Sequence, residues 1–276
     1  MSTPACRIAL LSFFALSSLH AAATSQVDAA ILAAMKLPDA RSYHWISTVE
    51  DDARFYEIEG RTEKNGYTLV SMPVITSLRR KLGANGGGMQ TVIFKGNSTC
   101  VIETSEGWTT PEELNRLPGA NPQRSLGRGG SRPSPRLSVP KNGNAAQMRY
   151  SNLQLNLSHP HDEIGIIVGS YTDVRIESDG ISGTLSDEGA KLLLVHPGQD
   201  EITPLAASGN FKLWIKDGAL VKYQVKLTGT IAIGEGPRRR EISLHQNSTT
   251  EIREVGTTTV AVPDEVKRKL NQISAL

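Results

Sequence analysis

The chain has 276 residues, of which 38% are hydrophobic and 5% aromatic, and its 30 Lys and Arg residues almost balance its 28 Asp and Glu residues. This composition is typical of a globular protein and argues against a disordered or fibrous chain. Two cysteines are too few for a disulfide-dense scaffold, and the apolar stretches are too short for a polytopic membrane protein.

The first residues have the pattern of a secretory signal peptide. Arg7 precedes an uncharged apolar stretch over residues 8–19, and Ala21, Ala22 and Ala23 are the small residues that signal peptidase accepts. The stretch is shorter than the roughly 20 residues of a membrane-spanning helix. We therefore expect cleavage near Ala23, removal of residues 1–23, and a single exported domain over residues 24–276, either periplasmic or extracellular.

A short helix is predicted at the start of the mature chain. Ser25 and Asp28 have the spacing of a capping box, and Pro38 is expected to end the helix. Its apolar residues fall on one face, which should lie on an apolar surface: Val27, Ile31, Leu32 and Met35.

Residues 42 to about 104 alternate between apolar and polar side chains, which predicts antiparallel strands. The predicted strand segments are Tyr43–Ile46, Arg54–Glu59, Tyr67–Val70, Thr91–Phe94 and Thr99–Ile102. Cys100 lies in the last of them and is expected to be a buried strand residue rather than a catalytic thiol.

The segment from residue 115 to residue 149 differs from the rest. It is rich in Pro and Gly, contains seven Lys and Arg residues and has no Asp or Glu, so the remainder of the chain carries a net charge of 2 − 7 = −5. We predict a flexible excursion from the domain. Either the positive charge only keeps this excursion soluble, or it attaches the excursion to an anionic surface. The residues that would make this attachment are Arg124, Arg128, Arg132 and Arg136. Aromatic residues for stacking on bases are missing, so no nucleic-acid partner is expected.

Two further helices and a hairpin are predicted after the excursion. A strand over Leu153–Leu157 precedes a helix that begins at Pro160, with Asp162 and Glu163 in its first turn and an apolar side of Ile164, Ile167 and Val168. A hairpin joins Asp173–Glu177 to Gly180–Leu185, and Ser186 should cap the next helix.

The segment from Phe211 to Leu227 predicts a second hairpin whose loop length follows from its side chains. A two-residue Asp217-Gly218 loop would mix apolar and charged residues on both faces, whereas a three-residue loop that includes Lys216 separates them. We therefore predict the longer loop, because burial of an unpaired lysine is costly. The apolar face then contains Phe211, Leu213, Ile215, Val221 and Tyr223.

The last part of the chain predicts further strands and a closing helix. The strands are Thr230–Ile233, Arg240–Leu244, Thr249–Ile252 and Thr257–Val262, and the helix opens at Pro263 and contains Val266 and Leu270. The total of about ten or eleven strands and three or four helices predicts an α+β, mainly β fold. It should be an antiparallel sheet with the helices packed on its one apolar face.

The segment Gly209–Tyr223, followed by extended segments and by Val260-Ala261-Val262-Pro263, resembles the C-terminal half of the periplasmic lipoprotein-carrier superfamily of the LolA, LppX and LprG types. The order of a mature N-terminal helix followed by strands is also similar. This resemblance implies a curved half-barrel whose helices plug the concave side around a cavity for acyl chains. The excursion over residues 115–149 departs from the family pattern.

Motifs for catalysis or metal binding are weak in this sequence. His159-Pro160-His161-Asp162-Glu163 concentrates potential metal ligands, but its spacing matches no zinc set, and a helix start explains it better. Nucleophile-elbow, His-Glu-x-x-His and phosphate-loop motifs do not occur. We therefore predict no catalytic residue, no metal site and no cofactor.

The sequence leads to one main hypothesis of function. It is an exported, non-enzymatic protein that binds an acyl chain, a lipid or a lipidated protein or peptide between sheet and helices. The candidate lining residues are the apolar face of the hairpin named above. The alternative is a structural or protein-interaction module of the cell envelope with a filled core, and a hydrolase with an unrecognised site has the least support.

Overall fold

The computed structural model describes residues 26–40, 42–52, 54–63, 66–74, 88–96, 99–111, 113, 158–195, 202–234 and 239–273. The predicted leader, the excursion over residues 115–149 and the predicted strand Leu153–Leu157 lie outside these described residues. Among the described helices, none has both the length and the apolar character needed to cross a membrane.

Within the described part of the chain, eleven strands form one open antiparallel sheet, so the predicted α+β, mainly β fold is confirmed. Its strand order is β6-β5-β4-β3-β2-β1-β11-β10-β9-β8-β7. The strands are β1 (Ser42–Asp51), β2 (Arg54–Glu63), β3 (Tyr67–Pro73), β4 (Met89–Lys95), β5 (Thr99–Thr104), β6 (Gly107–Thr109), β7 (Tyr171–Glu177), β8 (Gly180–Leu185), β9 (Ile202–Lys216), β10 (Ala219–Ile233) and β11 (Arg240–Arg253).

Four helices with described bounds pack against this sheet. They are α1 (residues 26–39), α2 (Pro160–Ser170), α3 (Asp187–Leu194) and α4 (Asp264–Ile273). The predicted cap of α3 is confirmed, because the Ser186 side chain accepts a hydrogen bond from the Gly189 N–H at 3.1 Å. Pro160 occupies the first turn of α2, where its missing N–H costs nothing.

Helices α1, α2 and α3 share one face of the sheet and one contiguous core. The helix residues in this core are Ala30, Ala34, Leu37, Ile164, Ile167, Ala190, Leu193 and Leu194. The predicted buried face of α1 was partly wrong, since Leu32 and Met35 are 66% and 40% exposed and small alanines contact the sheet instead. Alanines let the helix backbone approach the strands closely.

Helix α4 packs on the opposite face of the sheet, so the prediction that all helices share one apolar face was wrong. Ile93 and Val101 form a separate buried cluster with Val266 and Leu270 of α4. Their neighbours along the strands, including Val92 and Phe94, belong to the first core. Because successive strand residues point to opposite faces, β4 and β5 are apolar on both sides.

The β9–β10 hairpin has the predicted separation of faces but a different turn. Ala219 pairs with Lys216, so the loop contains only two residues, Asp217 and Gly218, both with positive φ as a type I′ turn requires. A bulge then inserts Val221 as an extra residue between the Leu220–Ile215 and Lys222–Trp214 pairs. Because the bulge shifts the register by one residue, Leu213 pairs with Tyr223 and Phe211 with Val225, so these apolar residues share one face as predicted.

The predicted strand Thr257–Val262 was wrong. Residues 254–263 have no regular structure, because Glu254 and Gly256 have positive φ values of 51° and 83° that turn the chain away from the sheet. The hydroxyls of Thr257 and Thr258 donate to the Glu254 carbonyl and close this turn.

Candidate functional site

The first turn of α2 makes polar contacts with the sheet on the face covered by α1–α3. Two buried tyrosines of the sheet, Tyr43 on β1 and Tyr223 on β10, are 2% and 1% exposed. Each contacts one ionisable residue of the helix, His161 or Glu163. The first turn of α2 therefore crosses two strands that are separated only by β11.

Two hydrogen bonds define this contact. The Tyr223 hydroxyl donates to Glu163 Oε2 at 2.7 Å, and the Tyr43 hydroxyl oxygen lies 2.5 Å from His161 Nδ1. A further polar contact joins β1 to β11, because the Ser47 and Thr250 hydroxyls lie 2.6 Å apart. The side chains of Ile164 and Ile167 follow one turn later in the apolar core. Polar contacts thus orient the start of α2, and apolar contacts bury its middle.

His159 precedes the helix and is deeply buried. Its ring stacks on the His161 ring at a centroid distance of 5.4 Å, and Phe94 meets it edge-on at 5.7 Å. It is the N-cap residue, but its side chain makes no capping hydrogen bond. Neither ring nitrogen has a hydrogen-bond partner of normal geometry, although the Gly96 backbone lies close enough to affect it. The ring therefore acts as a packing group.

Burial changes the protonation behaviour of this contact. It lowers the pKa of His159 to about 4, and the neighbouring His161 adds to this effect. Burial raises the pKa of Glu163 to about 7, opposed by the hydrogen bond from Tyr223 and reinforced by Asp162. The pKa values of Tyr43 and Tyr223 are also raised, mainly by burial. Burial therefore favours the neutral forms of His159, Glu163 and the two tyrosines.

Among the described residues, no three His, Cys, Asp or Glu side chains lie together as metal ligands would. The interpretation of His159-Pro160-His161 as a helix start is confirmed by the position of α2. The titratable groups of this contact can take up and release protons, and such a change would alter how firmly α2 is held.

The predicted lining residues lie in or beside the core that the helices cover. Phe211, Leu213 and Tyr223 are buried in the contiguous core, and Ile215 packs partly against it. Val221 is displaced by the bulge and only half-buried, and Leu220 is buried instead. The first three residues therefore come together beneath α2 and α3. In the described residues they are enclosed by protein.

A second feature lies on the other side of the sheet. An open groove of about 540 Å³ is lined by Glu63, Tyr67, Val260, Ala261, Val262, Pro263 and Lys267. The Val260 N–H donates to Glu63 Oε1 at 2.7 Å, which ties the irregular segment before α4 to β2. This groove faces solvent and is remote from the predicted lining residues.

Sequence reasoning missed Tyr43 and the role of Glu163 in this contact. The Tyr43–His161 and Tyr223–Glu163 pairs join residues 118 and 60 positions apart. Local patterns do not predict such pairs. A weaker signal was present, because Tyr43 and Tyr223 both alternate with the apolar residues of their strands, which places their hydroxyls on the buried face.

Comparisons with known proteins give only remote structural likeness. A LolA superfamily protein from Nitrosomonas europaea is 11% identical, with a TM-score of 0.26, 88% of this chain covered and 96% of that chain. The complex of MucA and MucB from Pseudomonas aeruginosa gives 12% identity, a TM-score of 0.30, 86% of this chain and 59% of that chain. No family model and no curated protein matches the sequence. Likeness at this level carries no argument about ligand, partner or compartment.

Proposed function

We propose that this chain is an exported, non-enzymatic protein that binds the apolar part of a ligand, an acyl chain or a lipidated peptide, between the sheet and helices α1–α3. One observation carries the proposal: three separate short helices cover one apolar face of an open sheet, and one of them begins with titratable polar contacts. Export rests on the signal-peptide pattern of residues 1–23.

Space for a ligand requires movement of a covering helix. Phe211, Leu213 and Tyr223 are at most 3% exposed, so an acyl chain reaches them only if side chains of a covering helix withdraw. The free energy gained would be about 0.8 kcal/mol for each methylene removed from water. Helix α2 is the better candidate for movement, because burial disfavours the ionised form of its Glu163 carboxyl and movement of the helix would return that group to water.

Purification without detergent tests the proposal. The mature protein, analysed by native mass spectrometry, should carry lipid, or should bind a fluorescent fatty acid after delipidation. Phe211→Ala should change the affinity for that probe by several-fold, because it alters the proposed lining directly. Leu270→Ala is the matched control, since this equally buried residue lies on the opposite face. A folded protein that carries no lipid and binds no probe would refute the proposal.

A second candidate function is a protein-interaction module of the cell envelope with a filled core. The outer surface of α1 favours it, because Leu32 and Met35 are large apolar side chains exposed to solvent. Under this alternative, substitution of both by serine would abolish partner capture, and the unsubstituted protein would bind no fatty acid. Lipid binding that depends on Phe211 would decide in favour of the first function.

A further inference from the structure

The two edges of the open sheet differ in length. Strand β6 at one edge has only three residues, Gly107–Thr109, and is too short to pair stably with another strand. Strand β7 at the other edge has seven, Tyr171–Glu177, and among the described residues only β8 pairs with it. Proteins usually protect a long edge strand, because its unpaired backbone groups can bind another strand.

Two common forms of edge protection, lysine and proline, are missing from β7. Its sequence, YTDVRIE, contains no proline and no lysine, and its residues are exposed except for the half-buried Val174. Tyr171 and Ile176 are large side chains that are 39% and 40% exposed on this edge. The only irregularity is a bulge at the beginning of the strand, between Tyr171 and Asp173.

Hydrogen-bond geometry shows which residues present their backbone to the open side. Glu177 pairs with Gly180 across a two-residue loop, and residues that flank such a turn normally form a hydrogen-bonded pair. Hydrogen-bonded and non-hydrogen-bonded pairs alternate along an antiparallel ladder. The outward N–H and C=O groups therefore belong to Val174 and Ile176.

The charges of β7 are complementary to those of a second, antiparallel copy. If Val174 pairs with Val174 of another molecule, Asp173 lies opposite Arg175 on both sides of the twofold axis. These would be non-hydrogen-bonded pairs, in which cross-strand side chains are closest. The same register uses the full length of the strand and places Ile176 opposite Thr172, on the face that carries Val174.

We propose that β7 is a dimerisation edge, at which two copies of this chain join their sheets antiparallel about Val174. Such an interface is isologous, so each residue contributes twice and a modest pair energy is doubled. The side chains of Asp173 and Arg175 are 57% and 78% exposed, so they can exchange their mutual contact for contacts with the other copy. The proposal is independent of whether a ligand binds under α2.

Charge reversal at the two positions tests this register. In sedimentation experiments across the micromolar range, the mature wild-type protein should show a monomer–dimer equilibrium. Asp173→Arg or Arg175→Asp alone should weaken dimerisation about tenfold, because each places like charges opposite one another twice. Thermal unfolding should show that both variants fold, and Lys226→Glu, an exposed residue of β10, should leave dimerisation unchanged.

Mixing the two single variants gives the decisive result. A strand with arginine at both positions then faces a strand with aspartate at both, so the mixture should form a heterodimer more tightly than either variant forms a homodimer. Neither variant retains the Asp173–Arg175 contact within one chain, so recovery of that internal contact cannot explain the result. A wild-type protein that stays monomeric, or a mixture that associates no better than its components, would overturn the proposal.

Discussion

Helices α2 and α4 cover opposite faces of the same sheet by different means. Helix α2 begins with a buried histidine and with polar contacts to two tyrosines. Helix α4 buries only Val266 and Leu270, against Ile93 and Val101, and its polar contacts lie at the rim. There, Lys269 donates to the Trp108 carbonyl at 2.6 Å.

The two helices therefore differ in how their contribution to the stability of the fold depends on pH. Apolar burial under α4 does not depend on protonation, whereas the contact under α2 gains or loses stability with pH. At α2, the raised pKa of Glu163 and the lowered pKa of His159 have opposite effects on how stability changes with pH. Glu163 disfavours the folded state as pH rises towards 7, and His159 disfavours it as pH falls towards 4. The wild-type protein should therefore show a shallow pH dependence across this interval.

The largest effect is expected at α4. Leu270→Ala removes a fully buried side chain and should reduce the free energy of unfolding by about 2–4 kcal/mol. Urea denaturation should give the same loss at about pH 5 and about pH 8, because the cluster contains no ionisable group. Leu192→Ala, at a leucine of α3 that is 43% exposed, is the control and should cost little. A strongly pH-dependent loss would contradict the purely apolar description of α4.

A smaller effect is expected from Glu163→Gln, which keeps an acceptor for Tyr223 but cannot ionise. The wild-type stability provided by the protonated carboxyl is complete below about pH 4.5 and is lost as pH rises to about 7. The variant avoids this loss and should gain about 2 kcal/mol relative to wild type between about pH 4.5 and pH 8. Glu265→Gln, at an exposed acid in the first turn of α4, should show no such gain. Parallel stability curves for wild type and Glu163→Gln would be inconsistent with a buried neutral carboxyl.

His159→Gln should reveal a change of stability with pH that is opposite in sign to that of Glu163. The stability provided by the neutral ring is complete above about pH 6.5 and is lost as pH falls towards 4. The variant lacks this acid-dependent loss, so it should destabilise the protein less at about pH 4 than at about pH 7, by about 1–2 kcal/mol. Chemical denaturation at both values measures the difference. An equal cost at both would mean that His159 is protonated in the folded protein.

The smallest effect is a gain at Gly165 in the interior of α2. A Cβ added there meets no atom within 4 Å, so Gly165→Ala should stabilise the protein by about 0.5–1 kcal/mol through helix propensity. Gly189→Ala in α3 is the matched substitution with the opposite sign, because its Cβ would collide with the Ser170 side chain. Thermal unfolding of the two variants compares them directly. A loss at Gly165 would mean that α2 needs a flexible position there.

Much of the fold was predictable because it depends on local patterns. The alternation of β1–β5, the cap at Ser186 and the start of α2 at Pro160 each follow from a few neighbouring residues. The packing of a helix on the second face of the sheet could also have been inferred. The continuous apolar runs Val92-Ile93-Phe94 and Cys100-Val101-Ile102 are typical of strands that are buried on both sides.

The polar contact under α2 was not predictable in the same way. Tyr43 and His161 meet only because the first turn of α2 lies across β11, between β1 and β10, and this contact depends on the order of those three strands. The predicted lining residues show the same limit. Phe211, Leu213 and Tyr223 followed from alternation, whereas Val221 was misplaced because a bulge, unlike a turn, has no signature in this part of the sequence.

The bulge at Val221 also makes the hairpin tolerant of a change in chain length. Deletion of one residue from a strand ordinarily inverts every side chain beyond it and would expose a buried face. Removal of Val221 would instead close the bulge and keep Leu213 opposite Tyr223 and Phe211 opposite Val225. One of the longest strands of the sheet thus has a spare residue, whose loss would not disturb the surface beneath α2 and α3.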